Sequence, residues 1–193
     1  MKVVIIKYNA GNIFSVQYAL KRLGIEAVVS GDHDEIRSAD KVIFPGVGEA
    51  STTMQFLRKE KMDLLLKSLE QPVLGICLGL QLMCRHSEEG DTPCIDLFDV
   101  EVKKFPPKDK VPHMGWNSLY DMKGKLFDNL PENPYVYFVH SYYAEQSPVT
   151  SAKCNYILPF SAAFEYNNFY ATQFHPEKSG ETGQYILKNF LRI

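Results

Sequence analysis

Short apolar runs alternate with amphipathic stretches through the first third of the chain. The β-branched run at residues 3–6 predicts a first strand, and Asn12 is placed to cap the helix that follows. That helix has one apolar face, made of Ile13, Val16, Leu20 and Leu23. Further strands are predicted at 27–29, 42–44 and 73–76. A long amphipathic stretch, with apolar residues at helical spacing, extends from about 51 to 69. Continuous apolar strands between helices are typical of βαβ units, so we expect a mostly parallel sheet with helices on both faces.

The pattern changes in the second half of the chain. Short runs at 135–139, 160–166 and 169–174 predict strands, several of them joined by Asn-rich turns. They indicate an added mixed or antiparallel portion of the same sheet. A last amphipathic segment, 179–191, predicts a closing helix whose inward residues are Tyr185, Ile186, Phe190 and Leu191.

Length, charge and apolar content limit the classes of protein. A chain of 193 residues suits one domain with a sizeable core, so residues 1–193 are expected to form a single domain. The formal net charge of −2 leaves no basic surplus for nucleic acid or an anionic membrane. No apolar run reaches the ~20 residues that span a bilayer, and the apolar start at 3–6 is too short for a signal peptide. We therefore expect a cytoplasmic protein.

The spacing of the four cysteines indicates free thiols and not a metal site. No two of them form a CxxC pair, and their spacing matches no zinc pattern; they are Cys77, Cys84, Cys94 and Cys154. In a reducing compartment they should be unpaired, and one or two at most should have a chemical role. No metal and no cofactor is predicted.

Residues 73–83, VLGICLGLQLM, place Cys77 between two glycines where a predicted strand meets a predicted helix. The pattern G-x-C-x-G in that setting has the form of a nucleophile elbow. Such a turn is so sharp that side chains at positions 75 and 79 would collide, and glycine removes the clash. The helix N-terminus stabilises a thiolate, and the Leu78 N–H is placed to donate to an oxyanion. A buried cysteine beside two packing glycines explains this stretch alone equally well.

A nucleophilic cysteine needs a base, and His175 is the best placed of the five histidines. It follows an apolar strand in the segment ATQFHPEKSG. Because Pro176 favours extended geometry in the residue before it, His175 and Glu177 point to the same side. The carboxylate can then hold one imidazole nitrogen while the other faces the thiol. By contrast, His33 in a polar loop and His86 in a charged helix end are expected at the surface.

GICLGLQ, PGVG and FHPEKS together resemble the class I (triad) glutamine amidotransferases. YNAGN, HMGWN and FVHSY resemble, more narrowly, the glutaminase subunits of imidazole glycerol phosphate synthases, and the likeness covers nearly the whole chain in order. This resemblance implies a flavodoxin-like α/β fold and hydrolysis of L-glutamine to glutamate and ammonia. It also implies that the ammonia passes to a (βα)8-barrel cyclase subunit within a heterodimer of histidine biosynthesis. The family's triad falls on Cys77, His175 and Glu177.

The same resemblance implies roles for further residues. Leu78 and Val47, in the PGVG loop, would donate the two oxyanion hydrogen bonds. Glycines flank Val47 on both sides, so a peptide there could rotate cheaply, and we expect this loop to gate activity until the partner binds. The glutamine pocket would comprise Gly48, Gln81, His140, Ser141 and Tyr142. The cyclase interface would comprise His113, Met114, Gly115, Trp116 and Asn117.

Other interpretations remain open at this point. Without the resemblance, Gln81 is equally well an exposed helix residue, His140 a core histidine and Trp116 a core tryptophan. The chain could also be an amidotransferase of the same class that serves another amination, such as that of a sugar. A stand-alone γ-glutamyl hydrolase or cysteine peptidase and a non-catalytic binding subunit are further alternatives. The intact triad residues argue against the last of these.

Overall fold

The computed structural model describes residues 1–8 and 12–193, so most of the YNAGN segment, at 9–11, lies outside the described residues. The parallel half of the main sheet consists of strands that the N-terminal apolar runs predict. They are β1 (Val3–Ile6), β2 (Val28–Ser30), β3 (Lys41–Gly46) and β4 (Val73–Cys77), paired in the order β2-β1-β3-β4. The sheet therefore brings the carboxyl ends of β3 and β4 side by side, with Gly46 opposite Cys77.

The second half of the chain adds the predicted antiparallel portion. Its strands are β5 (Cys84–Ser87), β6 (Thr92–Pro93), β7 (Phe98–Lys104), β8 (His113–Ser118), β9 (Tyr135–His140), β10 (Tyr142–Ala144), β11 (Thr150–Tyr156), β12 (Leu158–Tyr166) and β13 (Phe169–Thr172). Strand β13 runs parallel to β4 and antiparallel to β12, from which the sheet continues through β10, β7, β5 and β6. Strands β8 and β9 form a separate antiparallel ribbon.

Helices cover both faces of the main sheet. They are α1 (Ile13–Arg22), α2 (His33–Arg37), α3 (Ala50–Lys59), α4 (Met62–Ser68), α5 (Leu78–Met83) and α6 (Gly180–Arg192). Alternate residues of β1 face opposite sides. Val4 and Ile6 pack with α3, α4 and α5, whereas Val3 and Ile5 pack with α1, α6 and the ribbon. The α/β class with a mostly parallel core and an antiparallel addition is thereby confirmed. No helix in 1–8 and 12–193 is long and apolar enough to cross a membrane.

Several predicted element boundaries are wrong. The stretch 51–69 is two helices, because Lys61 adopts the left-handed φ of 53° between α3 and α4. His33 starts the short helix α2 instead of lying in a loop. The helix after Cys77 ends at Met83, so His86 lies on β5, where its ring nitrogens contact Glu101 and Asp91.

The closing helix α6 is present, but one of its predicted inward residues faces solvent. The buried stripe runs through Gly183, Ile186, Leu187 and Phe190 at helical spacing. Tyr185 lies beside that stripe and is 55% exposed, with the Lys188 amine 5.7 Å from its ring centroid. Leu191 packs against the core from a partly buried position.

Candidate active site

Cys77 sits at the junction of β4 and α5 with a strained backbone. Its φ of 55° and ψ of −107° lie in a region that residues with a side chain rarely adopt. The turn leaves the side chain 8% exposed at the carboxyl end of the parallel strands. Ligands bind at that end in α/β folds. The Cys77 thiol also stands at the N-terminus of α5, directly before the Leu78 N–H.

The glycines around Cys77 are required by close packing between backbones. A Cβ on Gly79 would overlap the carbonyl oxygen of Phe44 on β3, and a Cβ on Gly75 would lie 3.1 Å from the carbonyl carbon of Gly79. A Cβ on Gly46 would lie 2.6 Å from the Gly79 nitrogen. The predicted crowding between positions 75 and 79 is therefore real, but the tightest approach is between α5 and the neighbouring strand.

His175 and Glu177 form a buried pair beside this turn. The imidazole Nδ1 and the carboxylate Oε1 are 2.8 Å apart, and both side chains are almost fully buried. The Nε2 atom of His175 is buried and has no hydrogen-bond partner among the described residues. Burial lowers the pKa of His175, but the neighbouring Cys77 and the Glu177 carboxylate together raise it to about 10. The surroundings of His175 therefore favour the protonated imidazole at neutral pH.

The carboxylate of Glu177 has a second partner that the sequence pattern did not suggest. Asn12 lies at the N-cap position of α1, yet its side chain makes no capping hydrogen bond. Its Nδ2 instead donates to Glu177 Oε1 over 3.3 Å. The prediction of a capping role for Asn12 is thus wrong, because the side chain turns toward the buried carboxylate and helps to orient it.

The backbone of β9 holds the His175 turn in place. The His175 N–H donates to the Tyr137 carbonyl over 2.9 Å. In return, the Tyr137 N–H donates to Ser179 Oγ over 2.9 Å, and that hydroxyl donates to the His175 carbonyl over 2.6 Å. These three bonds fix the start of the short 3₁₀ helix Pro176–Lys178 against the ribbon.

A cavity of about 320 Å³ opens in front of Cys77. All five residues expected in the glutamine pocket line it, as do both expected oxyanion residues: Gly48, Gln81, His140, Ser141, Tyr142, Val47 and Leu78. Val47 is 39% exposed, and Gly48 has a φ of 112°. No cluster of three His, Cys, Asp or Glu side chains able to hold a metal ion occurs in the parts of the chain that the structure describes.

Glu89 lines the same cavity, and the sequence analysis missed it. Its Oε2 accepts a hydrogen bond from the Ala50 N–H over 2.8 Å, and burial raises its pKa. A carboxylate in this position suits the α-ammonium group of an amino acid. In the sequence, the only indication of such a carboxylate is the Glu88–Glu89 pair that follows β5. Spacing alone does not show which of the two side chains faces the cavity.

Gln81 is buried, so the interpretation of an exposed helix residue is wrong. Its Nε2 donates to the Tyr142 carbonyl and to Gln173 Oε1, each over 3.0 Å. The Nε2 of Gln173 lies 3.9 Å from Cys77 Sγ. Gln173 is a second residue that the sequence analysis missed, and its amide links Gln81 to Cys77.

Two neutral histidines connect the cavity to the ribbon. His140 Nδ1 lies 2.7 Å from the Tyr142 carbonyl, and its Nε2 lies 3.0 Å from His113 Nδ1. Burial lowers the pKa of His140 to about 3 and that of His113 to about 4. Because a carbonyl only accepts, His140 Nδ1 carries a proton and Nε2 accepts one from His113. The His140 ring is therefore buried and hydrogen-bonded through both nitrogens, and it also borders the cavity.

The five residues of HMGWN on β8 divide into two sets. His113 is buried, whereas Met114 and Trp116 are 61% and 55% exposed and follow each other at the two-residue period of a strand. The interpretation of Trp116 as a core residue is wrong. Gly115 and Asn117 are half-buried, and Asn117 Nδ2 donates to the Asn155 carbonyl over 3.1 Å.

Comparisons with known proteins agree with this geometry. Residues 4–193 match the family model "Glutamine amidotransferase class-I". A solved structure described as a glutamine amidotransferase superposes with a TM-score of 0.76 at 19% identity, covering 98% of this chain and 97% of that one. PurLQS from Thermotoga maritima superposes with a TM-score of 0.74 at 16% identity, covering 99% and 97%. These two likenesses concern the fold alone. The chain belongs to the class I glutamine amidotransferase family.

Curated relatives narrow the assignment. Imidazole glycerol phosphate synthase subunit HisH of Bacteroides thetaiotaomicron is 61% identical over 196 residues, covering 100% of both chains. The protein of that name from Escherichia coli is 45% identical, again over 100% of both chains. Within the class, the chain belongs with the HisH subunits, the glutaminase subunits of imidazole glycerol phosphate synthase in histidine biosynthesis. A separate amination, a stand-alone hydrolase and a non-catalytic subunit are thereby set aside.

Proposed function

We propose that this chain hydrolyses the side-chain amide of L-glutamine through a thioester on Cys77, with His175 as acid and base and Glu177 as the residue that orients it. The observation that carries the proposal is the position of Cys77 at the cavity, beside a His175 that is held by the buried carboxylate. The raised pKa of His175, about 10, supports a protonated imidazole in the resting enzyme.

In the acylation step the Cys77 thiolate attacks the amide carbon of glutamine. The carbonyl electrons move to oxygen, and the N–H groups of Leu78 and Val47 stabilise the oxyanion. His175 Nε2 donates its proton to the amide nitrogen, the C–N bond breaks, and ammonia leaves. A glutamyl thioester and a neutral imidazole remain.

In the second step His175 takes a proton from water, and the hydroxide attacks the thioester carbonyl. The same two N–H groups stabilise the second oxyanion. The C–S bond then breaks with its electron pair on sulfur, so glutamate leaves and the thiolate–imidazolium pair is restored. No group besides glutamine, water and these side chains is needed for the balance of atoms.

Cavity residues would select glutamine by its amino-acid end. The Glu89 carboxylate would bind the α-ammonium group, and Gly48, His140, Ser141 and Tyr142 would surround the α-carboxylate and the side chain. Gln81 would contribute its free Oε1, because its Nε2 is already engaged with the Tyr142 carbonyl and Gln173. The match of residues 4–193 to the class I glutamine amidotransferase model supports glutamine as the substrate.

The ammonia would pass directly to a (βα)8-barrel cyclase subunit that makes imidazole glycerol phosphate and AICAR, with the two chains forming a heterodimer. Exposed Met114 and Trp116 on the ribbon would contact this partner, since large apolar side chains open to solvent mark interaction surfaces. The loop around Val47 would gate the glutaminase until the partner binds. Residues 1–193 would act as a single domain in the cytoplasm, where all four cysteines stay reduced.

The test compares glutamine-dependent and ammonia-dependent turnover of the complex with the cyclase subunit. Cys77→Ala should abolish the glutamine-dependent rate and leave the ammonia-dependent rate unchanged. Cys94→Ala, at a half-buried cysteine outside the cavity, is the matched control and should leave both rates unchanged. Glutamine-dependent turnover that survives in Cys77→Ala would refute the proposed nucleophile and the proposed function.

A further inference from the structure

Tyr8 is a buried tyrosine that the proposed mechanism does not use. It follows β1, is 7% exposed, and its ring centroid lies 5.5 Å from that of Phe44. Its hydroxyl donates to the Pro45 carbonyl over 2.6 Å. The side chain does not line the cavity in front of Cys77, so it is not placed to touch glutamine.

The hydrogen bond from Tyr8 falls at the base of the loop that carries Val47. Pro45 and Gly46 are the last residues of β3, and Gly46 lies opposite Cys77 in the sheet. A Cβ on Gly46 would come within 2.9 Å of the Tyr8 hydroxyl oxygen, so that oxygen lies directly against the glycine. Because Pro45 has no N–H, its carbonyl is the only backbone group through which this residue can be tethered.

The Tyr8 hydroxyl keeps its proton, and so remains a donor, well above neutral pH. Burial and, to a smaller extent, the charge of Cys77 raise the pKa of the Tyr8 hydroxyl far above its ordinary value. The phenol lies close to Cys77, because its oxygen is packed against Gly46, which is paired with Cys77 in the sheet. The phenol therefore keeps its proton, which is directed at the Pro45 carbonyl.

We propose that Tyr8 is a positioning residue for the oxyanion hole: its hydroxyl fixes the Pro45–Gly46 peptide, so that the Gly46–Val47 peptide is the first that can rotate. With the first peptide held, rotation of the second places the Val47 N–H at one defined distance from the Cys77 site. Without the tether, only the pairing of β3 with β4 holds the first peptide, so that peptide gains freedom and the Val47 donor is less sharply placed. This inference rests on the proposed function, because it assigns Tyr8 a part in the same oxyanion stabilisation.

The expected effect of losing the tether follows from the value of one hydrogen bond. A neutral bond contributes about 0.5–1.5 kcal/mol net, which corresponds to a roughly 2- to 12-fold fall in kcat. The Michaelis constant for glutamine should hardly change, because Tyr8 does not border the cavity. A role in general stability alone would instead lower the fraction of folded protein and leave kcat per folded molecule unchanged.

The experiment uses Tyr8→Phe in the complex with the cyclase subunit. Tyr166→Phe is the matched control: this exposed tyrosine ends β12 and pairs with Phe169, which lies opposite Val73 at the end of β4 away from Cys77. Three quantities are measured: kcat and KM for glutamine, inhibition by L-glutamate γ-semialdehyde, and alkylation of Cys77 by iodoacetamide. The aldehyde forms a tetrahedral adduct with the thiol and so reports on the oxyanion hole, whereas alkylation does not need it.

Tyr8→Phe should lower kcat and weaken aldehyde binding by a similar factor, with KM and the alkylation rate unchanged and Tyr166→Phe like the parent. Unchanged kcat and unchanged aldehyde binding would overturn the role of Tyr8. An equal fall in alkylation and kcat would also overturn it, since the defect would then lie at the thiol. Failure of the proposed function is recognised separately, by hydrolysis that survives in Cys77→Ala.

Discussion

Replacing Glu177 by glutamine tests the electrostatic basis of the active site. The change keeps the size and shape of the side chain but removes the negative charge that faces His175 Nδ1 across 2.8 Å. Both groups are almost fully buried, so water cannot substitute for the lost charge. Of the two side chains that raise the pKa of His175 against the effect of burial, only Cys77 then remains unchanged.

The size of the effect can be derived from this contact. A hydrogen bond to a charged group is worth about 1.5–3 kcal/mol, and one pH unit corresponds to about 1.4 kcal/mol. The pKa of His175, about 10 in the parent, should therefore fall by roughly 1 to 2 pH units. If the same energy is lost in the transition state, kcat falls roughly 10- to 200-fold.

The assay is the pH profile of glutamine hydrolysis, from neutral pH to above the pKa of His175, about 10, where the alkaline limb of the parent is expected. Activity needs a protonated His175 to release ammonia, so it is lost as pH rises through the pKa of that group. The alkaline limb of Glu177→Gln should move to lower pH. Glu181→Gln, the same change at an exposed residue in the first turn of α6, is the control and should leave the profile unchanged.

An alkaline limb that stays in place in Glu177→Gln would refute this reasoning. It would mean either that the limb reports a group other than His175 or that Glu177 contributes little to its protonation. A fall in kcat without any movement of the limb would leave Glu177 with an orienting role alone, and the electrostatic part of the explanation would be wrong.

Other predictions concern packing, acid stability and association. Gly79→Ala should lower the free energy of unfolding by about 1–3 kcal/mol in urea titration, because its Cβ would overlap the Phe44 carbonyl oxygen. Burial lowers the pKa of His113 to about 4, so the unfolded chain binds the extra proton and stability falls as pH drops from about 6.5 to 4. Titrations at several pH values should show this slope flattened in His113→Phe. Trp116→Ala should weaken binding of the cyclase subunit by about 2 kcal/mol in calorimetry, whereas Tyr185→Ala on α6 should not.

The parallel core could be predicted from the sequence because its strands are apolar on both faces. The run 73–76 and the glycines around Cys77 indicate a strand, a sharp turn and a nucleophile without any knowledge of distant contacts. The short spacing between His175 and Glu177 likewise indicates their pairing. These features depend on neighbours within a few residues, where periodicity and backbone sterics are decisive.

What the sequence could not supply depends on contacts between distant positions. Asn12 meets Glu177 from 165 residues away, and Gln81 meets Gln173 from 92 residues away. Nothing in the local pattern distinguishes such a side chain from a cap or a solvent-facing amide. The break at Lys61 was hidden for another reason, since a single left-handed residue does not interrupt apolar periodicity on either side.

The hydrogen bonds between β9 and the turn at His175 have a consequence for sequence variation. Tyr137 makes both of its contacts to this turn through main-chain atoms, its N–H and its carbonyl oxygen. A substitution at position 137 therefore leaves both hydrogen bonds to the turn in place, except for proline, which would remove the donor. The ribbon can thus change its outer side chains to suit a partner without moving the backbone of His175.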